Sequence, residues 1–173
     1  MAFPGISGHT DVVEIRVAVS DDAETVGRLT LDVYRGNGSV GPNTDHGYLE
    51  SLSDGASRIK HATVFVAEVD GELVGTITAA RRGSPLSHVA TADELEVRML
   101  AVEASSRRHG VANGLVAACE QLARDDEKMA IILCTESWNS AAQSFYIQRG
   151  YQPVPDRDWT VNGTTLLAYE MRL

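Results

Sequence analysis

The segment from Glu94 to Leu122 limits the fold of this chain most narrowly. It begins with Glu94–Val102, where apolar and charged residues alternate as far as Met99, as in a β-strand. The basic turn Arg107-Arg108-His109-Gly110 follows. Apolar residues then recur at helical spacing, namely Val111, Leu115, Val116, Cys119 and Leu122. A strand, a basic glycine turn and a helix in this order indicate an α/β structure with a functional turn.

The basic turn has an electrostatic consequence. The first N–H groups of a helix lack intrahelical partners, and the peptide dipoles add about half a positive charge at that end. Further cations are unfavourable there unless an anion binds. Gly110 and Ala112 are small enough to let backbone N–H groups approach an oxygen-rich ligand. We predict a phosphate-binding turn; the alternative is that Arg107 and Arg108 are ordinary solvated loop charges.

Length and composition indicate one domain in a compact chain. The chain has 173 residues, of which 43% are hydrophobic, and a formal net charge of -9. We expect a flexible N-terminal segment at residues 1–11 and a single domain at residues 12–173.

No apolar run approaches the roughly 20 residues that cross a bilayer, and the first residues lack signal-peptide features. These observations predict a cytoplasmic protein with no membrane partner.

The acidic balance argues against nucleic acid as a partner, because such binding needs a basic surface. It permits a cationic substrate, although acidity is also a common means of keeping a protein soluble. The five histidines are scattered and the two cysteines, Cys119 and Cys134, lack ligand spacing, so no metal site is predicted. Both cysteines are expected to be small core residues.

Periodicity and turn residues predict the other elements. In chain order we expect a strand at 13–19, a helix after Ser20-Asp21-Asp22, a glycine-rich loop at 36–42, a second helix within 45–59, a hairpin of strands at 63–69 and 73–79, a loop at 81–93, a strand at 130–135, a helix from 139 to 150 and a terminal hairpin turning at Asn162-Gly163. This pattern predicts an α/β fold with a mixed, mostly antiparallel central sheet flanked by helices.

Three segments resemble the GNAT superfamily of acyl-CoA-dependent N-acyltransferases. The family signature is Arg or Gln, two residues, Gly, one residue, Gly or Ala, which Arg107–Ala112 matches. Met99–Val102 is similar to the strand that feeds this loop, and Asn139–Tyr146 to the second cofactor-contacting helix. The resemblance extends from about Val12 to Leu173. Glu103-Ala104 departs from it, since many members carry a proline turn there.

The resemblance implies a GNAT-like fold whose sheet is splayed at the acyl-CoA site. It implies direct transfer of an acetyl group from acetyl-CoA to an amine. We expect the acceptor to be a primary amine of a small molecule and no metal to take part. The Leu100 N–H would donate a hydrogen bond to the oxyanion that forms on the thioester carbonyl. The Tyr146 hydroxyl would be the donor to the sulfur of the departing CoA. The residues implied to contact the cofactor are Leu100, Ala101, Val102, Arg107, Arg108, His109, Gly110, Val111, Ala112, Asn113, Asn139, Ala142 and Tyr146.

An amine with a pKa of about 10.4 must lose a proton before it can attack. Glu96 stands where the resembled family places a glutamate base, and Glu94 or a water relay is the alternative. Glu94, Glu96 and Arg98 could instead form a polar face of the sheet. Tyr146 could instead be a core aromatic residue beside Phe145.

Two other functions stay open at this stage. A protein or peptide amine acetyltransferase would use the same cofactor machinery, and a non-catalytic acyl-CoA-binding regulatory module would need neither Glu96 nor Tyr146. Dimers are common in the resembled family, so a homodimer is a further expectation. Acidic loop residues that could attract an amine, or be merely solvated, are Asp45, Glu50, Asp54, Asp156 and Asp158.

Overall fold

A computed structural model describes residues 12–173. The predicted flexible segment at residues 1–11 lies outside the described residues. The elements are β1 Glu14–Val17, α1 Ala23–Gly36, α2 His46–Ser53, α3 Gly55–His61, β2 Thr63–Val69, β3 Glu72–Arg81, β4 Glu94–Val102, α4 Val111–Asp125, β5 Ala130–Glu136, α5 Ser140–Gln148, β6 Gln152–Pro153, β7 Trp159–Val161 and β8 Thr164–Arg172. Short 3-10 turns lie at Ser20–Asp22, Ala104–Ser106 and Pro155–Arg157.

The strands form one mixed sheet in the order β1-β2-β3-β4-β5-β8-β6, with β7 paired to β8. Only β4 and β5 pair in parallel among the described strands; the other neighbours are antiparallel. The predicted hairpin is confirmed, because β2 and β3 are joined at Asp70 and Gly71, both with positive φ. The predicted α/β fold with a mostly antiparallel sheet is confirmed.

The parallel pair β4–β5 opens along its length. Residues 94–97 pair with residues 130–133, and the ladder then stops although both strands continue, to Val102 and Glu136. A bulge in β4 lies at this point, since Ile77 of β3 stands opposite both Met99 and Leu100, and Met99 has a φ of 54°. Bulges bend a strand and increase its twist. The strands therefore diverge beyond Val97 and leave a gap in the sheet.

Helices cover both faces of the sheet. Alternate residues of β3 point in opposite directions, so Ile77 packs with the α4 face whereas Thr78 meets the α1 and α3 side. A Cβ added at Gly75 would lie 2.8 Å from Cγ1 of Val111, so glycine permits the close approach of α4 to β3. The first residue of α4 is thereby fixed against the sheet, close to the gap.

The prediction of one helix within residues 45–59 was wrong. The chain forms α2 and α3 instead, separated at Asp54, whose ψ of 73° is not helical. The Asp54 carboxylate accepts a hydrogen bond from the Ser57 N–H at 2.8 Å and so starts α3 afresh. A Cβ at Gly55 would fall 2.0 Å from the Ala23 carbonyl oxygen, so α3 is packed against the start of α1. This contact redirects the chain.

A buried arginine joins α3 to the rest of the fold. Arg58 has no exposed surface, and it donates to the hydroxyls of Thr30 at 2.7 Å and Thr78 at 3.1 Å. Burial lowers the pKa of Arg58 to about 10.

None of the helices within residues 12–173 is long and apolar enough to span a lipid bilayer.

Candidate active site

The gap between β4 and β5 holds a cavity of about 1090 Å³. Its walls are the diverging strands, the end of α1, the loop from Asn37 to Asp45 and the first turns of α4 and α5. The β7–β8 hairpin closes a further side. The cavity therefore lies where the glycine turn, both strands and the loop between α1 and α2 converge.

The basic turn leads into an uncapped helix. Gly110 is the N-cap of α4 with a φ of 79°, and Arg108 also has positive φ, 67°. Within the described residues no side chain bonds to the cap, and the first turn carries no acidic residue. The positive end of α4 is therefore free to receive an anion.

Only part of the predicted cofactor set lines the cavity. Leu100 and Val102 face it from β4, whereas Ala101 is buried in the core together with Val111. The remaining residues around the start of α4 are exposed, namely Arg108, His109, Gly110 and Asn113. The lining residues among the predicted set are Leu100, Val102, Arg107, Ala112, Asn139, Ala142 and Tyr146.

The edge of β4 beyond Val97 has no partner strand on the β5 side in the described chain. Backbone groups on that edge can bond to an extended ligand as another strand would. Arg107 packs back on this segment, its Nε donating to the Val102 carbonyl at 3.4 Å. The open strand edge and the uncapped helix thus adjoin each other.

Helix α5 supplies the opposite wall. The Asn139 Oδ1 accepts a hydrogen bond from the Ala142 N–H at 3.1 Å, so the amide NH2 of Asn139 is its group left for a ligand. The Tyr146 ring is only 5% exposed and packs edge-on against Phe145 and Tyr151. Burial raises the pKa of Tyr146, so the hydroxyl stays protonated and can donate. Tyr146 is both a core aromatic residue and a cavity-lining donor.

Glu96 lines the cavity but most of its carboxylate is engaged. Its Oε2 accepts hydrogen bonds from the Ser87 hydroxyl at 3.0 Å and from the N–H groups of His88, Val89 and Ala90 at 2.7, 2.9 and 3.3 Å. Its Oε1 lies 3.8 Å from Arg98 Nε. Glu96 thus holds the loop that precedes β4, and Oε1 is its oxygen left for a proton.

Glu94, the alternative base, does not line the cavity. Its carboxylate binds Arg157 with two hydrogen bonds, at 2.6 and 3.0 Å, and accepts the Thr91 N–H at 2.8 Å. Burial opposes ionisation, but the bonds from Arg157 and Thr91 outweigh it and lower the pKa of Glu94. This geometry gives Glu94 a structural role.

The acidic loop residues are mostly engaged elsewhere. Asp54 caps α3, and Asp158 accepts the Ala168 N–H at 2.7 Å. Asp45 lines the cavity, but its side chain caps α2 through the Tyr48 N–H. Across residues 12–173, His, Cys, Asp and Glu side chains form no group of three that could hold a metal.

Several cavity residues were not singled out by the sequence. Glu136 ends the apolar strand β5, and that carboxylate after a buried run was a readable signal. Cys134 was expected in the core, but it is half-buried and lines the cavity, because residues beyond Leu133 have left the β4–β5 ladder. Other lining residues whose place depends on the fold are Tyr34, Ser39, Tyr48, His88 and Arg98.

A model of the acetyltransferase (GNAT) family matches residues 40–151. The chain belongs to this family. The matched region of this GNAT chain includes β4, the basic turn, α4 and α5, which carry the resemblance seen in the sequence. That resemblance is confirmed.

Known proteins agree with this assignment. N-acetyltransferase 8F1 from Rattus norvegicus is 29% identical over 101 residues, which are 58% of this chain and 44% of the relative. The chain thus spans less than half the length of that relative. A GNAT acetyltransferase structure from Staphylococcus aureus Mu50 has a TM-score of 0.73 at 15% identity, covering 94% of this chain and 99% of the other. PaiA N-acetyltransferase from Thermoplasma acidophilum, solved with coenzyme A, has a TM-score of 0.70 at 16% identity, covering 92% and 99%.

Proposed function

We propose that this protein is an N-acetyltransferase that moves an acetyl group from acetyl-CoA directly to a primary amine of a small molecule. The observation that carries the proposal is that the uncapped start of α4 and the open edge of β4 meet in one cavity of a GNAT-family chain. The names of the rat relative and of the coenzyme A-bound structural neighbour support it.

The residues around the cavity fit acetyl-CoA. Backbone N–H groups at the start of α4, with Arg107 and Arg108, would hold the pyrophosphate, since a helix N-terminus and guanidinium groups both favour phosphate. The edge of β4 at Leu100 and Val102 would bind the pantetheine arm through the backbone. The amide NH2 of Asn139 would contact the same arm. Bound there, acetyl-CoA supplies an activated acetyl group.

The chain's own groups would then serve the transfer. The Leu100 N–H would stabilise charge on the carbonyl oxygen, and a backbone donor fixed by the bulge costs no reorganisation. The Tyr146 hydroxyl would donate a hydrogen bond to the sulfur, and its raised pKa keeps the hydroxyl protonated for that role. For Glu96, one oxygen remains to accept a proton, so its role as base stays a prediction.

Small amines are the proposed acceptors because the cavity lining includes the bulky side chains of Tyr34, Tyr48 and Trp159. Such a chamber suits a compact acceptor better than a folded protein surface. A cytoplasmic location and a homodimer stay predictions.

The test is an amine panel followed by release of free thiol from acetyl-CoA. The panel contains butylamine, benzylamine, spermidine, L-lysine and a pentapeptide with a free N-terminus. We expect turnover of at least one small amine and a calorimetric signal for CoA. No heat for either CoA or acetyl-CoA on folded protein would overturn the proposal. Binding without turnover would favour a regulatory module, and turnover of the peptide alone would favour a protein substrate.

A further inference from the structure

Three carboxylates line the cavity, and their environments differ. Asp45 is exposed and caps α2, while Oε2 of Glu96 is occupied by four donors. Glu136 is half-buried and receives one side-chain hydrogen bond, from the Ser39 hydroxyl to its Oε2 at 2.9 Å. Its Oε1 has no hydrogen-bond partner among residues 12–173. Glu136 is therefore the cavity carboxylate that combines partial burial with a single hydrogen bond.

Glu136 also lacks a counter-ion in the part of the chain that the structure describes. The other carboxylates near the strand pair have arginine neighbours: Glu94 pairs with Arg157 at 2.6 Å, and Glu96 lies 3.8 Å from Arg98. Glu136 makes no ion pair with Lys, Arg or His there. Burying a charge without a partner is unfavourable, and burial accordingly raises the pKa of Glu136.

The groups around Glu136 do not neutralise it. Tyr34 of α1 and Tyr48 of α2 lie close enough to feel its charge, and burial raises the pKa of both phenols, to about 12 for Tyr34, so they stay neutral. The cations that also act on Tyr34 are Arg58 and Arg98. Arg98 donates to the Leu86 carbonyl at 2.8 Å and is thereby held toward the loop before β4.

The position of Glu136 is well defined. Its backbone carbonyl accepts hydrogen bonds from the Asn139 N–H at 2.9 Å and from the Gln143 Nε2 at 3.2 Å, which fix the end of β5 to the start of α5. Ser39 fixes the carboxylate from the other side, through the loop between α1 and α2. A rigid, cavity-facing carboxylate without a cation is suited to a cationic ligand.

We propose that Glu136, held by Ser39, binds the ammonium group of the acceptor and takes its proton. The acceptor class is then a primary alkylammonium that approaches from the side of Tyr34 and Tyr48. This inference rests on the proposed acetyl transfer. It assigns to β5 the role of base that the family resemblance implied for Glu96 on β4.

The protons and bonds balance in this scheme. Glu136 Oε1 accepts one proton from the ammonium and later releases it to solvent. The neutral nitrogen forms a bond to the carbonyl carbon, and the carbon–sulfur bond breaks with its electron pair left on sulfur. The sulfur gains one proton through the Tyr146 hydroxyl, and the second nitrogen proton, lost as the amide forms, returns through solvent to restore that hydroxyl. The products are the amide, the free thiol and one proton.

The decisive experiment compares two amines of similar size. Butylamine is cationic at neutral pH, whereas 2,2,2-trifluoroethylamine is largely neutral there and needs no base. In Glu136→Gln we expect kcat/KM for butylamine to fall about 100-fold, the usual range for loss of a general base, and kcat/KM for trifluoroethylamine to change less than about fivefold. Glutamine can keep the hydrogen bond with Ser39. Saturation-transfer NMR of the CoA complex should show weaker contact with butylammonium in this variant.

Glu96→Gln is the matched comparison. It removes a charge from the same cavity but acts through the loop at residues 87–90, so both amines should lose rate by the same factor. Glu72→Gln, at the exposed first residue of β3, controls for the change in net charge. CoA calorimetry and thermal melting of each variant check that the fold and the cofactor site are intact.

Ser39→Ala tests the positioning role. The Ser39 hydrogen bond lowers the pKa of Glu136 against the effect of burial. Its removal raises that pKa, so the acidic limb of the kcat/KM profile for butylamine should move to higher pH. A purely structural serine would lower the rate at every pH alike.

The outcomes separate this inference from the proposed function. If Glu136→Gln slows both amines equally or neither, or if Glu96→Gln alone discriminates between them, Glu136 is not the base. Absence of turnover with both amines in the wild type, when another panel amine is acetylated, overturns recognition through the ammonium group while acetyl transfer stands. Failure of the whole panel overturns the proposed function itself.

Discussion

Polar groups at the two ends of the β4–β5 pair differ in how fully they are hydrogen-bonded. At the paired end, Glu94 is bound by Arg157, and Glu96 is bound by the backbone of the loop before β4. At the open end, Glu136 keeps a carboxylate oxygen without a partner, and the buried Thr135 Oγ1 has no hydrogen-bond partner in the described chain. Buried polar groups are normally satisfied. The contrast indicates that the paired end serves stability and that the open end is arranged for ligands.

This comparison yields a rule for substitutions. Changes at the paired end should chiefly alter the free energy of unfolding, and any loss of activity there should not depend on the charge of the amine. Changes at the open end should alter binding or turnover, with little change in stability.

The largest expected effect is on stability, from Arg157→Ala. The Glu94 carboxylate, 8% exposed in its side chain, would lose its counter-ion, and removing one partner of such a pair costs about 3 kcal/mol or more. Urea unfolding measures it. The control is Arg172→Ala, whose guanidinium is 88% exposed beside Glu170 and should contribute about 0.5 kcal/mol or less. Equal urea midpoints for the two variants would show that the Glu94–Arg157 pair contributes no more stability than an exposed ion pair.

The next effect is on turnover, from Tyr146→Phe. Loss of a hydroxyl that donates to the sulfur should lower kcat about 100-fold, with the urea midpoint nearly unchanged. Steady-state thiol release with the best panel amine measures kcat. Tyr151→Phe is the matched control, because its hydroxyl contacts Glu120 at 3.3 Å away from the cavity and should affect stability rather than rate. Similar rates for the two variants would assign Tyr146 to the core alone.

The strand–turn–helix arrangement could be predicted from the sequence because its signals are local. The alternation in Glu94–Val102, the glycine before α4 and the apolar spacing of α4 each depend on neighbours a few residues away. The single helix expected within residues 45–59 failed for a non-local reason, since the contact of Gly55 with the start of α1 breaks it.

The candidate site was harder to predict because its bonds join distant segments. Glu136 meets Ser39 across 97 positions, and Glu94 meets Arg157 across 63. Spacing along β4 placed Glu94 and Glu96 on a polar face, but it could not show which carboxylate the loops would cover. Only the folded chain distinguishes the covered carboxylates from Glu136.

A smaller effect is expected at the basic turn. In the double variant Arg107→Ala/Arg108→Ala, the CoA dissociation constant should rise about 10- to 30-fold, because charge-assisted bonds to phosphate are lost while the helix N-terminus remains. Calorimetry at two salt concentrations measures it, and the wild type should show the stronger salt dependence. Arg124→Ala, in the last turn of the same helix, is the control and should bind CoA as the wild type does. An unchanged affinity for CoA in the double variant would mean that both arginines are ordinary solvated loop charges.

The smallest expected effect is on the pH dependence of the free energy of unfolding. The contributions of Glu94 and Glu136 to it should have opposite signs. The pKa of Glu94 is lowered from its ordinary value of 4.5, so its contribution to stability is present above pH 4.5 and is lost as pH falls through the folded value. The pKa of Glu136 is raised, so its contribution is full below pH 4.5 and is lost as pH rises through the folded value.

Glu94→Gln should therefore destabilise the protein at pH 7 and less so at pH 3. Glu136→Gln should stabilise it slightly at pH 7, where the charged carboxylate is disfavoured by burial, and not at pH 3. Urea unfolding at both pH values measures these differences, and destabilisation by Glu136→Gln at pH 7 would mean that its carboxylate already has a partner and that the two ends are alike.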